Sequence, residues 1–364
     1  MRGRHRFAIP FFRYLDEEGR PEDSLPLWTR DHDLLKAIYE SMVLTRTFDQ
    51  KAIALQRTGQ LGTYPSTLGQ EAIGTCIGLA MAAEDVLVPY YRDSAAQVLR
   101  GMGWEEILLY WGGDERGGNA NIHSRDLPVC VPVATQLSQA AGVATAMTIK
   151  GHAGATVVTC GDGATSKGDF LEALNVAGVW HLPLVVVINN NQWAISVPLD
   201  QQTATASLAQ KAIAAGIDGV QVDGNDAIAV YDALNNALVK ARHNAQATLI
   251  EAVTYRLSDH TTADDASRYR SQDEVRKNWR HEPILRFRNF LHGLELWDVE
   301  QEQALLQNCQ KTVDAAVDKY LAQKPEAPEA MIDYLYEFVP ASLESQRAAI
   351  IAKAASLNKN HQGA

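Results

Sequence analysis

The sequence predicts an α/β fold, a doubly wound parallel sheet flanked by helices, and three observations carry that expectation. The apolar runs at 86–88, 156–160, 184–188, 220–222 and 249–254 are short and unalternating, as strands buried on both faces are. Helical-period segments separate them and supply the crossovers that parallel strands need. Turn-forming Gly, Asn and Asp follow two of the strand ends, where open α/β sheets bind their ligands.

Residues 1–30 read as an N-terminal arm, extended by Pro10, Pro21 and Pro26 and laid on a partner subunit or on the chain's own domain. Its basic residues, Arg2, Arg4, His5, Arg6 and Arg13, surround an apolar centre too short for secretion, and the segment lacks Ser and turns acidic by Asp16, unlike an organelle presequence. Leu34, Leu35, Ile38, Met42, Val43 and Phe48 then recur at helical spacing between Asp31 and Thr58, with Gly59 as the stop. Residues 69–82 read as a buried helix, and the strand at 86–88 ends at Tyr90, Tyr91 and Arg92. An arginine more often makes a surface ion pair, but a charge directly after a buried strand points into a cleft.

Residues 111–132, rich in Gly, Asn and Pro, form a long irregular loop before a small-residue helix at 140–146, with Thr135 placed to cap it. A helix at 207–215 stopped by Gly216, the strand at 220–222, a helix capped by Asp226 and running to about Arg242, and the strand at 249–254 continue the alternation. Residues 31–270 are thus one domain. The charged helical segments at 285–291 and 300–321 belong to a C-terminal extension, 271–364, packed on the core or on a partner, with a frayed last dozen residues.

With 46% hydrophobic and 21% charged residues in 364, the composition is that of a soluble globular protein. The net charge of −11 argues against nucleic acid or an anionic membrane as a bulk partner. No apolar run reaches the length of about 18 residues needed to span a membrane. Cys76, Cys130, Cys160 and Cys309 lie far apart without metal-type spacing, which fits a reducing cytoplasm.

Two strand ends concentrate the chemistry. Gly161-Asp162-Gly163 closes the run at 156–160, and Asn189-Asn190-Asn191 closes the run at 184–188, with a helix at 170–180 between them. Gly161 and Gly163 allow a tight turn and close backbone approach, Asp162 offers a hard carboxylate oxygen suited to Mg²⁺, and Asn191 adds a second oxygen without charge. A phosphate at the N-terminus of the intervening helix would meet free amides and the helix dipole. Each half alone is also an ordinary turn.

Together, the GDG turn, helix, strand and Asn repeat resemble the thiamine diphosphate motif of 2-oxo acid decarboxylases and transketolases. Within that superfamily the chain resembles the α subunit of the decarboxylase component of 2-oxo acid dehydrogenase complexes. Leu61-Gly62-Thr63-Tyr64, Gly69-Gln70-Glu71-Ala72, Tyr91-Arg92-Asp93, Ala134-Thr135-Gln136 and the segment from Tyr255-Arg256 through His260 to Arg268-Tyr269-Arg270 extend the resemblance over nearly the whole chain.

The resemblance implies that Asp162, Asn191 and the Trp193 carbonyl bind Mg²⁺, and that Tyr91 and Arg92 hold the cofactor diphosphate. It further implies cofactor contacts at Gly163 and Ala164, main-chain contacts at Val131 and Val133, and a His260 that lies by the cofactor and assists acyl transfer to a lipoyl group. An imidazole titrating near neutrality suits that work, although a lone loop histidine is usually just solvated. Thr135 and Gln136 match positions that bind a monovalent cation in branched-chain enzymes, but Cys130 stands where an oxygen ligand is expected. Implied partners are a β subunit, in an α₂β₂ heterotetramer, and the lipoyl-bearing acyltransferase core. The β chain carries the glutamate that activates the cofactor, so Glu71 has no such role. The implied substrate is pyruvate, with a branched-chain 2-oxo acid as the alternative suggested by residues 133–136. A non-catalytic subunit is the competing reading, and a nicotinamide enzyme is disfavoured because no G-x-G-x-x-G opens a helix. Thr261 stands where animal relatives carry a phosphorylated serine, and Asp264 and Asp265 beside it would repel a phosphate.

Overall fold

The computed structural model describes residues 7–118 and 125–361, the side chains of 357–361 excepted. The basic cluster Arg2, Arg4, His5 and Arg6 and the middle of the 111–132 loop lie outside the described residues. The elements are β1 (Phe11–Phe12), α1 (His32–Arg57), α2 (Glu71–Ala80), β2 (Val86–Val88), α3 (Ser94–Leu99), α4 (Trp104–Trp111), α5 (Thr135–Lys150), β3 (Thr156–Gly161), α6 (Gly168–Val179) and β4 (Leu184–Asn190). After them come β5 (Trp193–Ala194), β6 (Val197–Pro198), α7 (Leu199–Gln202), α8 (Lys211–Ala215), β7 (Asp218–Asp223), α9 (Ala227–Asn244), β8 (Thr248–Val253), α10 (Gln272–Asn278), α11 (Pro283–Gly293), α12 (Val299–Leu321), α13 (Ala330–Asp333) and α14 (Ala341–His361).

Six strands form one parallel sheet in the order β1-β7-β8-β4-β3-β2. Successive side chains of a strand face opposite ways, and the core follows that rule. Val157, Val185, Val187 and Ile250 join one apolar cluster with α1, α2 and α9. Val158, Val186, Ile188 and Leu249 join another with α5 and α6. The sheet is therefore covered on both faces.

The expected strands are all present, and α1 and α6 fall within two residues of expectation. One expectation changes, and one open alternative is decided. Thr135 does not cap a helix; α5 already begins there, and its N-cap is Ala134, in left-handed backbone (φ 71°) with no side-chain cap. The extended arm lies on the chain's own domain, because Phe11–Phe12 adds the edge strand β1 beside β7.

Asp226 anchors that arm. Its Oδ2 accepts from the amides of Tyr14 (2.6 Å) and Leu15 (2.8 Å), while Oδ1 caps α9 at Ile228 (2.9 Å) and Ala229 (3.3 Å). Asp226→Ala removes a cap and strands two interior amides, so it is expected to lower stability by about 3 kcal/mol. Urea unfolding of the variant, read as a midpoint shift with unchanged slope, checks this.

The chain forms two compact units, Met1–Val317 and Asp318–Ala364. The division falls later than residue 270 because Phe287, Phe290 and Leu291 of α11 and Cys309 of α12 enter the same cluster as α1 and α9. In the second unit, Arg347 of α14 grips Asp333 of α13 at 2.6 and 2.9 Å.

Candidate active site

The carboxyl ends of β2, β3 and β4 open into a cavity of about 580 Å³. Register brings them together, since Gly161 pairs with Asn189 and Val88 with Val158. Tyr91, Arg92, Val131, Val133, Asp162, Gly163, Ala164, Asn191, Trp193 and His260 all line the cavity. Every site residue named from the sequence except Thr135 is in that lining, with Gln136 alongside.

Asp162 is buried, and burial pushes its carboxyl up, while Gln202, main-chain amides including that of Asn191, and the Arg256 charge pull it down. Gln202 Nε2 donates to its Oδ2 at 2.8 Å. Asn191 accepts from the Trp193 amide through Oδ1 (3.3 Å) and donates through Nδ2 to Gln70 Oε1 (3.4 Å). Residues Gln192 (φ 71°) and Ile195 (φ 55°) are both left-handed, so the chain reverses sharply on either side of the β5 strand. Arg256 fixes this reversal, donating to the carbonyls of Trp193 (3.2 Å) and Ile195 (2.8 Å). Asp162, Asn191 and Trp193 all line the cavity, and the Asp162 carboxylate, the Asn191 amide oxygen and the Trp193 carbonyl are oxygens of the hard kind that Mg²⁺ takes.

The two glycines of the motif differ. A Cβ on Gly163 would lie 2.7 Å from Ala194 Cβ, so its close approach is real. Gly161 has extended backbone (φ −83°) and open space where its Cβ would be, so backbone approach does not require glycine there. As a cavity-lining position, it keeps that space free instead. A 3-10 turn, Asp162–Ser166, also intervenes before α6, so the helix N-terminus meets the cavity through Ser166 and Lys167. Gly163→Ala is expected to push the β5–β6 hairpin outward and weaken Mg²⁺-dependent cofactor binding at least tenfold, about the value of one lost charge-assisted contact. Equilibrium titration of the assembled protein measures it.

Arg92 is buried beneath the cavity wall. Its NH1 donates to the Ser66 carbonyl at 2.5 Å, and its NH2 donates to the His260 carbonyl at 2.7 Å and lies 3.1 Å from His260 Nδ1. Tyr91 packs edge-on to the His260 ring, 6.2 Å between centroids, with the Arg92 guanidinium 5.3 Å from the Tyr91 centroid. Asp264 accepts from the His260 amide at 2.9 Å and from the Tyr269 hydroxyl.

His260 is partly buried rather than freely solvated, and it does not titrate near neutrality as expected. Burial, then the charges of Arg92 and Arg256, push its imidazole down to about 3. With guanidinium donors facing Nδ1, the neutral ring carries its proton on Nε2. The sign follows: between pH 6.5 and about 3 an unfolded histidine binds a proton that the folded one refuses. His260 is therefore neutral in the native state throughout this window as well as above it, and stability is lost as pH falls through it because the unfolded chain gains the proton. Imidazole NMR of the ligand-free protein should show His260 unprotonated from pH 8 to 5.

At the third wall, Val131 and Val133 are half exposed, apolar surface turned to the cavity. Cys130 Sγ contacts the Pro132 carbonyl at 3.7 Å. Gln136 is buried, with Nε2 on the Thr159 carbonyl (2.9 Å) and Oε1 without a partner among the described residues, whereas the Thr135 residue is exposed. All four cysteines are free.

Residues 39–329 match the family described as Dehydrogenase E1 component. The chain belongs to that family. It is similar to the pyruvate dehydrogenase E1 component subunit alpha of Staphylococcus aureus (38% identity over 91% of this chain and 90% of the relative). The proteins of the same name from Bacillus subtilis (36%, over 92% and 91%) and Mycoplasma genitalium (34%, over 94% and 96%) are also similar.

Within this E1-family site, sequence reasoning missed the supporting residues. Gln202 lies 40 positions beyond Asp162 with no spacing to betray it. Arg256 was in a recognised segment, but its role depends on the β5–β6 hairpin, whose two-residue strands carry no periodic signal.

Proposed function

We propose that this E1-family chain is the α subunit of a 2-oxo acid dehydrogenase that decarboxylates pyruvate with thiamine diphosphate and Mg²⁺ and passes the acetyl group to a lipoyl group. The carrying observation is the convergence of Asp162, Asn191, Arg92 and His260 on one cavity at three strand ends. The residues fit the cofactor: Gly163 leaves the cradle open, the amides of α5 are uncapped by any side chain, and the metal donors are oxygens.

Asp162, Asn191 and the Trp193 carbonyl would hold Mg²⁺. Tyr91 and Arg92 would hold the diphosphate with the turn at Gly163 and Ala164, the guanidinium matching phosphate oxygens. Val131 and Val133 would exclude water from the apolar face. When bound, thiamine diphosphate supplies the electron sink for release of CO₂. His260, neutral with Nε2–H outward, would serve as a hydrogen-bond donor to the charge that develops on the lipoyl sulfur during acyl transfer. Thr135 and Gln136 are where a monovalent cation would sit, although Cys130 presents soft sulfur where such an ion takes oxygen.

The same reading makes the protein dependent on a β subunit, as an α₂β₂ heterotetramer docked on a lipoyl-bearing acyltransferase core. Asp162 is the only carboxylate among the described residues lining the cavity. Glu71 is committed to an ion pair with Arg46 at 2.8 Å. Both observations support the reading that the carboxylate activating the cofactor belongs to the β subunit. A cytoplasmic location accords with bacterial relatives and with the lack of any membrane-length apolar helix among the described residues.

Steady-state assay of the chain reconstituted with its β subunit tests the proposal. Pyruvate should exceed 2-oxoisovalerate in kcat/KM by about tenfold or more, since a pocket matched to one small group discriminates by that order per methylene. The reverse ratio would make it a branched-chain enzyme, and no turnover of either would leave a non-catalytic subunit.

A further inference from the structure

Asp49 is a buried acid that the site described so far does not use. It sits on α1, 1% exposed, and makes no ion pair among the described residues. Such a carboxylate is retained only where donors compensate for lost water. Here all the donors come from one short segment. Oδ1 accepts from the Tyr64 hydroxyl (3.1 Å), the Thr67 amide (2.7 Å) and the Thr67 hydroxyl (3.2 Å), and Oδ2 accepts from the Ser66 hydroxyl (2.6 Å). Ser66 Oγ in turn accepts from the Leu68 amide (3.2 Å).

That segment reaches the cavity in two ways. Thr63 and Pro65 line it, and the Ser66 carbonyl accepts Arg92 NH1 at 2.5 Å. The carbonyl is one of two main-chain groups that orient the guanidinium, the other being that of His260. Helix α1 is long and fixed in the core through Leu35, Ile38, Met42 and Val43, so it gives the segment a rigid post. We infer that Asp49 is a positioning residue for cofactor capture: by pinning residues 64–67 to α1 it aims the Ser66 carbonyl, which sets the Arg92 guanidinium toward the diphosphate. The inference rests on the reading of Arg92 as the diphosphate ligand. It adds a determinant on a different helix, one that touches no ligand itself.

A double-mutant cycle on the protein assembled with its β subunit tests it, with thiamine diphosphate affinity at saturating Mg²⁺ as the readout. Arg92→Ala should weaken binding about 100-fold, and Asp49→Ala about tenfold, the scale of hydrogen bonds to a charged group. In the Arg92→Ala background Asp49→Ala should add less than about twofold, because its effect passes through the arginine. Asp49→Asn keeps an acceptor for the Tyr64 and Thr67 donors and should recover most of the affinity. If Asp49→Ala does not fold, Ser66→Ala, which breaks only the Oδ2 link, takes its place in the cycle with a smaller loss that again vanishes without Arg92. Additive losses would make Asp49 a purely structural acid, and unchanged affinity in both single variants at Asp49 and Ser66 would discard the inference. Normal binding by Arg92→Ala itself would instead identify the Arg92 reading as the error and remove the inference with it.

Discussion

Asp162→Ala, assembled with the β subunit, is expected to lose thiamine diphosphate and Mg²⁺ together. Outer groups that merely orient a metal ligand are commonly worth 10–100-fold in affinity, so removing the only charged ligand should exceed about 100-fold. The variant should fold, because Asp162 makes no ion pair among the described residues and its side-chain donor, Gln202, also has the Val197 carbonyl at 3.0 Å. Removing the carboxylate also ends the cost of burying it. A normal melting temperature without ligand, combined with no cofactor-dependent rise in that temperature, is the expected pair of results. Retention of both ligands at wild-type affinity would move the metal elsewhere.

The legible part of this molecule was the part with strong periodicity or forced chemistry. Residues 86–88, 156–160 and 184–188 are short apolar runs between helical segments, as buried strands are, and polar residues following them fall at the strand-end cleft. That logic located Arg92, Asp162 and Asn191 without coordinates. The edge strand β1 was illegible because its two phenylalanines are exposed and its partner β7 lies far along the chain. The state of His260 was hidden for another reason: its position in the sequence shows a polar loop, whereas its proton affinity is set by Arg92, 168 residues away, and by how far the loop folds inward. Nothing in the spacing around Asp49 marks it, and only its four donors distinguish it.

The second large effect is expected at His260. His260→Ala should reduce the lipoamide-dependent reaction of the assembled complex by about 100-fold or more, the usual scale of one positioned hydrogen-bond donor to developing charge. Decarboxylation read with an artificial electron acceptor should fall less than about tenfold, because that assay bypasses transfer to the lipoyl sulfur. The neutral state of the ring adds a condition. Its activity should not follow an ordinary histidine titration near pH 6.5, since burial, with the Arg92 and Arg256 charges, keeps it unprotonated well below that value. Equal losses in the two assays would assign His260 to cofactor binding, and a normal rate in both would make it a bystander.

The pairing of β1 with β7 has a consequence for how the protein is made. Phe11 and Phe12 find their partners at Gln221 and Val222, about 210 residues downstream. A ribosome adding about 5–20 residues per second needs on the order of 10–40 s to cover that distance. Throughout that interval the first strand has no sheet to join, and the amides of Tyr14 and Leu15 have no Asp226 to receive them. The sheet therefore cannot grow from its first strand, and the edge that closes it is emplaced last, after β7 and β8 have left the exit tunnel. Chains stalled before that point would carry the unpaired backbone of the first strand and the unsatisfied Tyr14 and Leu15 amides. Nascent-chain lengths on either side of the one that brings β8, Thr248–Val253, out of the tunnel should accordingly differ sharply in aggregation and protease resistance.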